Sequence, residues 1–213
     1  WQTMDIHMQI SVNVGAQQLQ QSDFFTKLSI CLENHPHVQP HQLELEVLET
    51  SALEDITHVT NLIESCNKIG VGFVLDDFGT GYSSLSYLKR LPIRLIKIDQ
   101  SFVRDMLKDK EDLAIIKGVL DLASVFHRNV VAEGIETAQH HRLLISLGCE
   151  LGQGYGIAQP MPTEAFPAWL SAWRPDPDWL LVPIVNHADL SLLFAKVAHD
   201  AALMSDSTHL NGE

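Results

Sequence analysis

Residues 71–77, Val-Gly-Phe-Val-Leu-Asp-Asp, form an apolar, β-rich run that ends on two adjacent acids. Its length and its branched and aromatic content predict a buried strand. Five more runs share that design: 8–14 (MQISVNV), 43–49 (LELEVLE), 95–99 (LIKID), 129–136 (NVVAEGIE) and 154–158 (GYGIA). Helical periodicity fills the intervals. Residues 55–69 set Ile56, Val59, Ile63 and Cys66 near one face, and residues 112–126 do the same with Leu113, Ile116, Val119, Leu120 and Ala123. Gly70 and Gly148 fall where helix C-caps are expected. Strands recur roughly every 25 to 35 residues, about one βα unit each. Such alternation predicts an α/β protein with a parallel sheet.

Two architectures fit, a doubly wound open sheet and a (β/α)8 barrel, and the polar residues decide between them. Asn13 lies near the end of the first run, and Glu46 and Glu49 in the later half of the second. Asp76 and Asp77 end the third, Lys97 and Asp99 the fourth, and Glu133 and Glu136 the fifth; Gln153 opens the sixth unit. Polar groups at the carboxyl ends of most successive strands describe a barrel's active face. A doubly wound sheet concentrates its chemistry at one switch point, usually with a glycine-rich phosphate loop, and none is present here.

The chain has 213 residues, 46% of them hydrophobic, which is enough for one domain with a sizeable core. Acids number 27 and Lys plus Arg 14, a formal charge of −13. A surface for DNA or RNA duplexes would carry the opposite sign. No apolar run is long enough to span a membrane. Cys31, Cys66 and Cys149 are isolated and odd in number, as free thiols in a reducing cytoplasm would be. Residues 173–179 (WRPDPDW) look like a boundary, residues 189–203 like one amphipathic helix, and residues 204–213 like a disordered tail.

Asp76 and Asp77 together would repel each other in a poorly solvated place, and a bound cation relieves that. The plainer alternative is a helix cap beside a solvated acid. The glycines and serines of residues 78–84 shift the balance: they make a tight loop that could also cap the next helix. Lys97 alternates with Ile96 and Ile98, so it is expected to face the barrel axis beside the acids. The histidines show no metal-ligand spacing, and His140-His141 looks like a surface pair. An oxygen-rich donor set suits hard divalent cations such as Mg²⁺ or Mn²⁺. Two such ions can activate water and stabilise the leaving oxygen of a phosphodiester.

The stretch Asp76-Asp77-Phe78-Gly79-Thr80-Gly81-Tyr82-Ser83-Ser84-Leu85 resembles the signature of EAL domains, the cyclic di-GMP phosphodiesterases of bacteria. So do Lys97-Ile98-Asp99, Ala132-Glu133-Gly134-Ile135-Glu136-Thr137 and Gln153-Gly154-Tyr155, with Ser11-Val12-Asn13 and Glu46-Val47-Leu48-Glu49 in matching order. The resemblance covers residues 8–162. It implies a TIM-like barrel that cleaves cyclic di-GMP to pGpG with Mg²⁺ or Mn²⁺ in a two-metal site. It implies metal ligands at Asn13, Glu46 and Asp76, and a ligand of the second metal at Asp77. Lys97 would contact the catalytic water, and Glu133 would be the general base or a second-metal ligand. Glu136 and Gln153 would support the metal–water cluster, with Asp99 beside them. Glu49 would hold the loop that begins Phe78, Gly79, Thr80, Gly81. In the family that loop couples dimerisation to activity. The resemblance leaves open a homodimer through the loop and its following helix, and an attached sensory or diguanylate cyclase domain. The expected location is cytoplasmic, with the full-length protein open to a membrane anchor elsewhere.

One departure matters. The family's Glu-Ala-Leu motif, whose Glu is a metal ligand, has no counterpart in an early strand here. Glu164-Ala165-Phe166 is similar in letters only, because it follows the last strand run. Six βα units do not close an eight-stranded barrel. The expected organisation is a domain over residues 1–172, incomplete at its N-terminal side, then a linker, helix and tail over 173–213. A fragment of a longer protein, beginning at Trp1, fits this better than a naturally shortened domain. The alternative function is an inactive module that binds cyclic di-GMP or a protein partner. An unrelated TIM-barrel hydrolase would need several ordered motifs to coincide by chance.

Overall fold

The computed structural model describes residues 1, 4, 6–81, 85–177 and 179. The expected helix over 189–203, the tail over 204–213 and loop residues 82–84 lie outside the described residues.

Six strands form one sheet: β1 (Ile10–Asn13), β2 (Leu43–Leu48), β3 (Gly72–Phe78), β4 (Leu95–Ile98), β5 (Asn129–Ala132) and β6 (Leu151–Gly152). Each pairs in parallel with the next, so their order in the sheet is their order in the chain. Nine α-helices are described: α1 (Ala16–Leu19), α2 (Phe24–Asn34), α3 (Glu49–Glu54), α4 (Ile56–Ile69), α5 (Leu85–Arg90), α6 (Gln100–Asp105), α7 (Lys110–Val125), α8 (Ala138–Ser146) and α9 (Phe166–Ala172). A doubly wound sheet reverses its strand order once; this one never does. Right-handed crossovers in one direction put every connecting helix on one face. The sheet is therefore part of a TIM-like barrel wall, as expected, with helices outside.

The two faces differ accordingly. Outward residues Leu45, Val47, Phe73, Leu75, Ile96, Ile98, Val130 and Ala132 join the main core. Helix α4 adds Val59, Leu62, Ile63 and Cys66, and α7 adds Ile116, Val119 and Ala123, matching the predicted stripes. On the inner face Val74, Leu95 and Val131, with Leu151, make a small apolar plug. Two residues further along stand Asp76 and Lys97, on the same strands, and Glu133, just past the end of β5. Period-two alternation thus stacks a polar layer on an apolar floor. At the N-terminal side Met8 and Phe166 pack with Trp1, Ile6, Met161, Trp169 and Leu170, which ties the first residues to α9.

Several boundaries differ from the sequence expectation. The sixth strand is Leu151–Gly152, and residues 154–158 form a turn instead. Gly154 and Gly156 lie flat on the backbone of Ile135 and Glu136, too close for a strand partner, and Gly156 N–H donates to Ile135 O at 2.8 Å. Strand β5 stops at Ala132, because Gly134 turns the chain at φ 75°. Asp99 is the N-cap of α6 rather than a strand residue. Helix α7 starts at Lys110, two residues before the expected start, because Asp109 caps it. Gly70 and Gly148 do take the left-handed conformation after α4 and α8. His140 is buried, not a surface residue, and bonds to Thr137 Oγ1 and to the Arg104 carbonyl.

Candidate active site

At the carboxyl end of the sheet, alternation alone aims Glu46, Lys97 and Glu133 inward. All three are buried. Lys97 Nζ lies 3.0 Å from Glu46 Oε1, 3.1 Å from Asp76 Oδ1 and 2.5 Å from Glu133 Oε1. Burial alone would push this amine down, but Glu133, Glu46 and Asp76 outweigh it and hold the lysine well above its ordinary range. It is a fixed cation at neutral pH.

In a regular strand Asp76 and Asp77 would point to opposite faces. Here the β3–β4 register shifts between Leu75 and Phe78. Asp77 sits at φ 53°, one of two non-glycine residues described with positive φ. The irregularity swings its carboxylate to the inner side. Carboxylate oxygens of Asp76, Asp77 and Glu133 consequently lie within 4.8 Å of one another. Among the described residues no other cluster of three acids, histidines or cysteines comes so close.

This proximity is expensive. Burial first, then Asp76, Asp99 and Glu133, with a hydrogen bond to Asp99, pushes Asp77 up to about 6. Burial pushes Asp99 up as well, but bonds from the Ser101 hydroxyl and N–H and from Asp77 outweigh it and bring it below the ordinary range. Glu44, below Glu46 on the same face, is raised by burial and by Glu46. Among the described residues one lysine, Lys97, makes ion pairs with this set of acids, and every ligand atom the three-carboxylate cluster offers is oxygen. The donor chemistry fits a hard divalent cation.

Asp77→Asn tests the repulsion. Asparagine tolerates the same left-handed backbone, so the change removes the charge alone. A shift of about two units would be worth roughly 3 kcal/mol if taken whole. Asp77 is half-exposed and solvent screens it, so we expect about 1 kcal/mol. In EDTA at pH 7, D77N should melt about 2–4 °C higher than the unsubstituted chain. A raised carboxyl pKa costs stability above it, and that cost fades as pH falls toward 4. The two melting curves should therefore converge in acid. A D77N variant that melts lower at pH 7 would contradict the strain.

The remaining expected site residues spread around this centre. Asn13 is exposed at the end of β1 and pairs in register with Glu46. Glu49 is buried at the start of α3, and its Oε2 accepts from Gly79 N–H at 3.2 Å. Phe78 is buried and ends β3; Thr80 folds back so that its hydroxyl donates to Asp77 O at 2.9 Å. A Cβ on Gly81 would come 3.3 Å from Glu49 Oε1, so Glu49 lies against both glycines. Gln153 follows β6, where its N–H donates to Ala132 O at 2.8 Å. Glu136 is exposed and stands outside the three-carboxylate cluster. Sequence reasoning passed over Glu44, although the alternation in LELEVLE puts it on the face of Glu46.

The EAL domain family model matches residues 1–160. The chain belongs to the EAL domain family. Among this EAL chain's relatives is the bifunctional diguanylate cyclase/cyclic di-GMP phosphodiesterase MucR of Pseudomonas aeruginosa, 39% identical over 155 residues, 73% of this chain and 22% of MucR. The cyclic di-GMP phosphodiesterase NbdA of the same organism is 37% identical over 169 residues, 79% of this chain and 22% of NbdA. The MucR phosphodiesterase structure in complex with cyclic di-GMP matches at TM-score 0.71 and 38% identity, over 74% of this chain and 64% of that one. The EAL domain of Mycobacterium smegmatis DcpA matches at TM-score 0.76 and 30% identity, over 83% and 79%. The chain spans about a quarter of the length of the curated relatives it matches. No helix among the described residues is long and apolar enough to cross a membrane.

Proposed function

We propose that this EAL domain, as part of a longer protein, hydrolyses cyclic di-GMP to pGpG with Mg²⁺ or Mn²⁺. The carrying observation is the carboxylate cluster of Asp76, Asp77 and Glu133 at the strand ends, of which Asp76 and Glu133 contact the buried Lys97. Bound cations would supply Lewis acidity and an activated water. Asn13, Glu46 and Asp76 would hold one ion and Asp77 the other. Lys97, fixed in its charged form, would orient the attacking water and offset phosphate charge. Glu133 would accept the water's proton or hold the second ion. Water adds to phosphorus, the bond to the 3′ oxygen breaks, and the products are a 3′-hydroxyl and a 5′-phosphate. Asp99 would fix Asp77 through their hydrogen bond, Glu49 would hold residues 78–81, and Glu136 and Gln153 would support the cluster from its rim.

The same reading places the catalytic domain over residues 1–172, in the cytoplasm. It pairs the domain with a second copy through the loop and α5, and attaches a sensory or diguanylate cyclase domain. The relative MucR, a bifunctional diguanylate cyclase/cyclic di-GMP phosphodiesterase, supports the attached cyclase domain. The test is hydrolysis of cyclic di-GMP by this chain in Mg²⁺ or Mn²⁺, with binding followed in Ca²⁺. Conversion to pGpG that EDTA abolishes is the expected result. Binding in Ca²⁺ with no turnover in either metal would overturn the hydrolytic reading in favour of a receptor.

A further inference from the structure

We infer that Phe102 is a positioning residue for the metal-binding carboxylates, held in the first turn of α6, which touches the loop that follows Asp77 and the loop that carries Glu133. The inference rests on the proposed metal site and deepens it. Asp99 caps this turn: its Oδ1 accepts from Ser101 N–H at 2.8 Å and from the Ser101 hydroxyl. The same carboxylate bonds to Asp77. At the next residue, a Cβ placed on Gly134 would come 2.7 Å from Gln100 Cβ and 3.2 Å from its Cα. The loop carrying Glu133 therefore lies directly on Gln100. Two residues on, a Cβ placed on Gly79 would come 3.0 Å from Phe102 Cε2, with two more ring carbons at 3.6 and 3.7 Å. The loop that follows Asp77 therefore lies directly on the Phe102 ring.

Gly79 is gripped from two directions, by Phe102 and by the Glu49 carboxylate on its N–H. It has no side chain with which to anchor itself. Asp77, two residues earlier, holds a left-handed backbone that persists only where its surroundings impose it. The ring supplies one of those constraints. Helix α6 can act as a fixed base because Val103 and Met106 bury beneath it, and because His140 bonds to the Arg104 carbonyl at its far end. Residues that orient a metal's ligands without touching the metal typically cost about 10–100-fold in affinity when removed.

The test is Mn²⁺ affinity of the folded chain, measured by EPR well below the melting point, for the unsubstituted chain, F102A, F102L and F126A. Phe126 also packs partly buried on the main core, after α7. F102A should weaken Mn²⁺ binding about tenfold or more, and F102L by less. F126A should lower the melting temperature without changing Mn²⁺ affinity. Unchanged affinity in F102A, or an equal loss in F126A, would overturn the role of Phe102. If F102A does not fold, F102L decides: weakened binding upholds the inference and unchanged binding overturns it. No Mn²⁺ binding by the unsubstituted chain would overturn the metal site itself, a result distinguishable from the others.

Discussion

Lys97→Ala is expected to abolish hydrolysis of cyclic di-GMP and to lower the stability of the metal-free chain sharply. Lys97 lies within ion-pair distance of Glu46, Asp76 and Glu133, all buried. Removing one partner from a buried ionic group leaves uncompensated charge, which costs about 3–5 kcal/mol. For a chain of this size that corresponds to a melting temperature lower by roughly 10–15 °C in EDTA. The catalytic loss should be about 10²–10³-fold or more, as for removal of one preorganised charge-stabilising group. The two losses should respond differently to metal. Millimolar Mg²⁺ or Mn²⁺ should recover part of the melting temperature, because a divalent cation can take over the carboxylates' charge. It should not recover turnover if Lys97 has the proposed role, because a cation on the carboxylates does not replace an ammonium at the attacking water. Turnover within a few-fold of the unsubstituted chain would remove Lys97 from the mechanism. An unchanged melting temperature in EDTA would mean that the acids are not held in contact without metal.

How much of this site was legible beforehand depends on how local its causes are. Alternation in LIKID is a local property, and it aims Lys97 at the inner face, where the structure has it beside Glu46, Asp76 and Glu133. The run 43–49 reads as strand to its end, but β2 stops at Leu48 and Glu49 opens α3. The co-location of Asp76 and Asp77 was not readable in this way. Strict alternation would separate them, and only the register shift against β4 and the left-handed backbone at Asp77 bring them together. That irregularity is set by pairing with a strand some twenty residues away. His140 failed for a similar reason: two adjacent histidines on a helix read as solvated, but the Arg104 carbonyl and Thr137 hydroxyl give its ring partners inside. Phe102 gave no sign of its position either, because its contact is with a glycine in another loop.

Gly154→Ala is the second substitution expected to act strongly, and its cause is steric rather than electrostatic. A Cβ at residue 154 would lie 2.3 Å from both the nitrogen and the oxygen of Ile135, far inside contact distance. Those atoms are backbone, so no rotamer change relieves the overlap. Ile135 N–H also donates to Gln153 O at 3.0 Å, and Gly156 N–H donates to Ile135 O at 2.8 Å. The methyl must push the 153–156 turn off the loop that follows β5 and break these bonds. Overpacking a close-packed site costs about 1–3 kcal/mol, and more when backbone must move. A fall of about 10 °C in melting temperature is the expected result. Gly118→Ala provides the opposite case in the same protein. Gly118 is exposed within α7, and a Cβ there would meet nothing within 4 Å. Alanine should stabilise the chain by about 1 kcal/mol through helix propensity. The two substitutions add the same methyl and differ only in what it meets. The loop that Gly154 abuts carries Glu133, the residue that contacts Lys97. Gly154→Ala should therefore reduce turnover beyond the loss explained by the unfolded fraction. If turnover per folded molecule is unchanged, the 153–156 turn supports the fold without setting the position of Glu133.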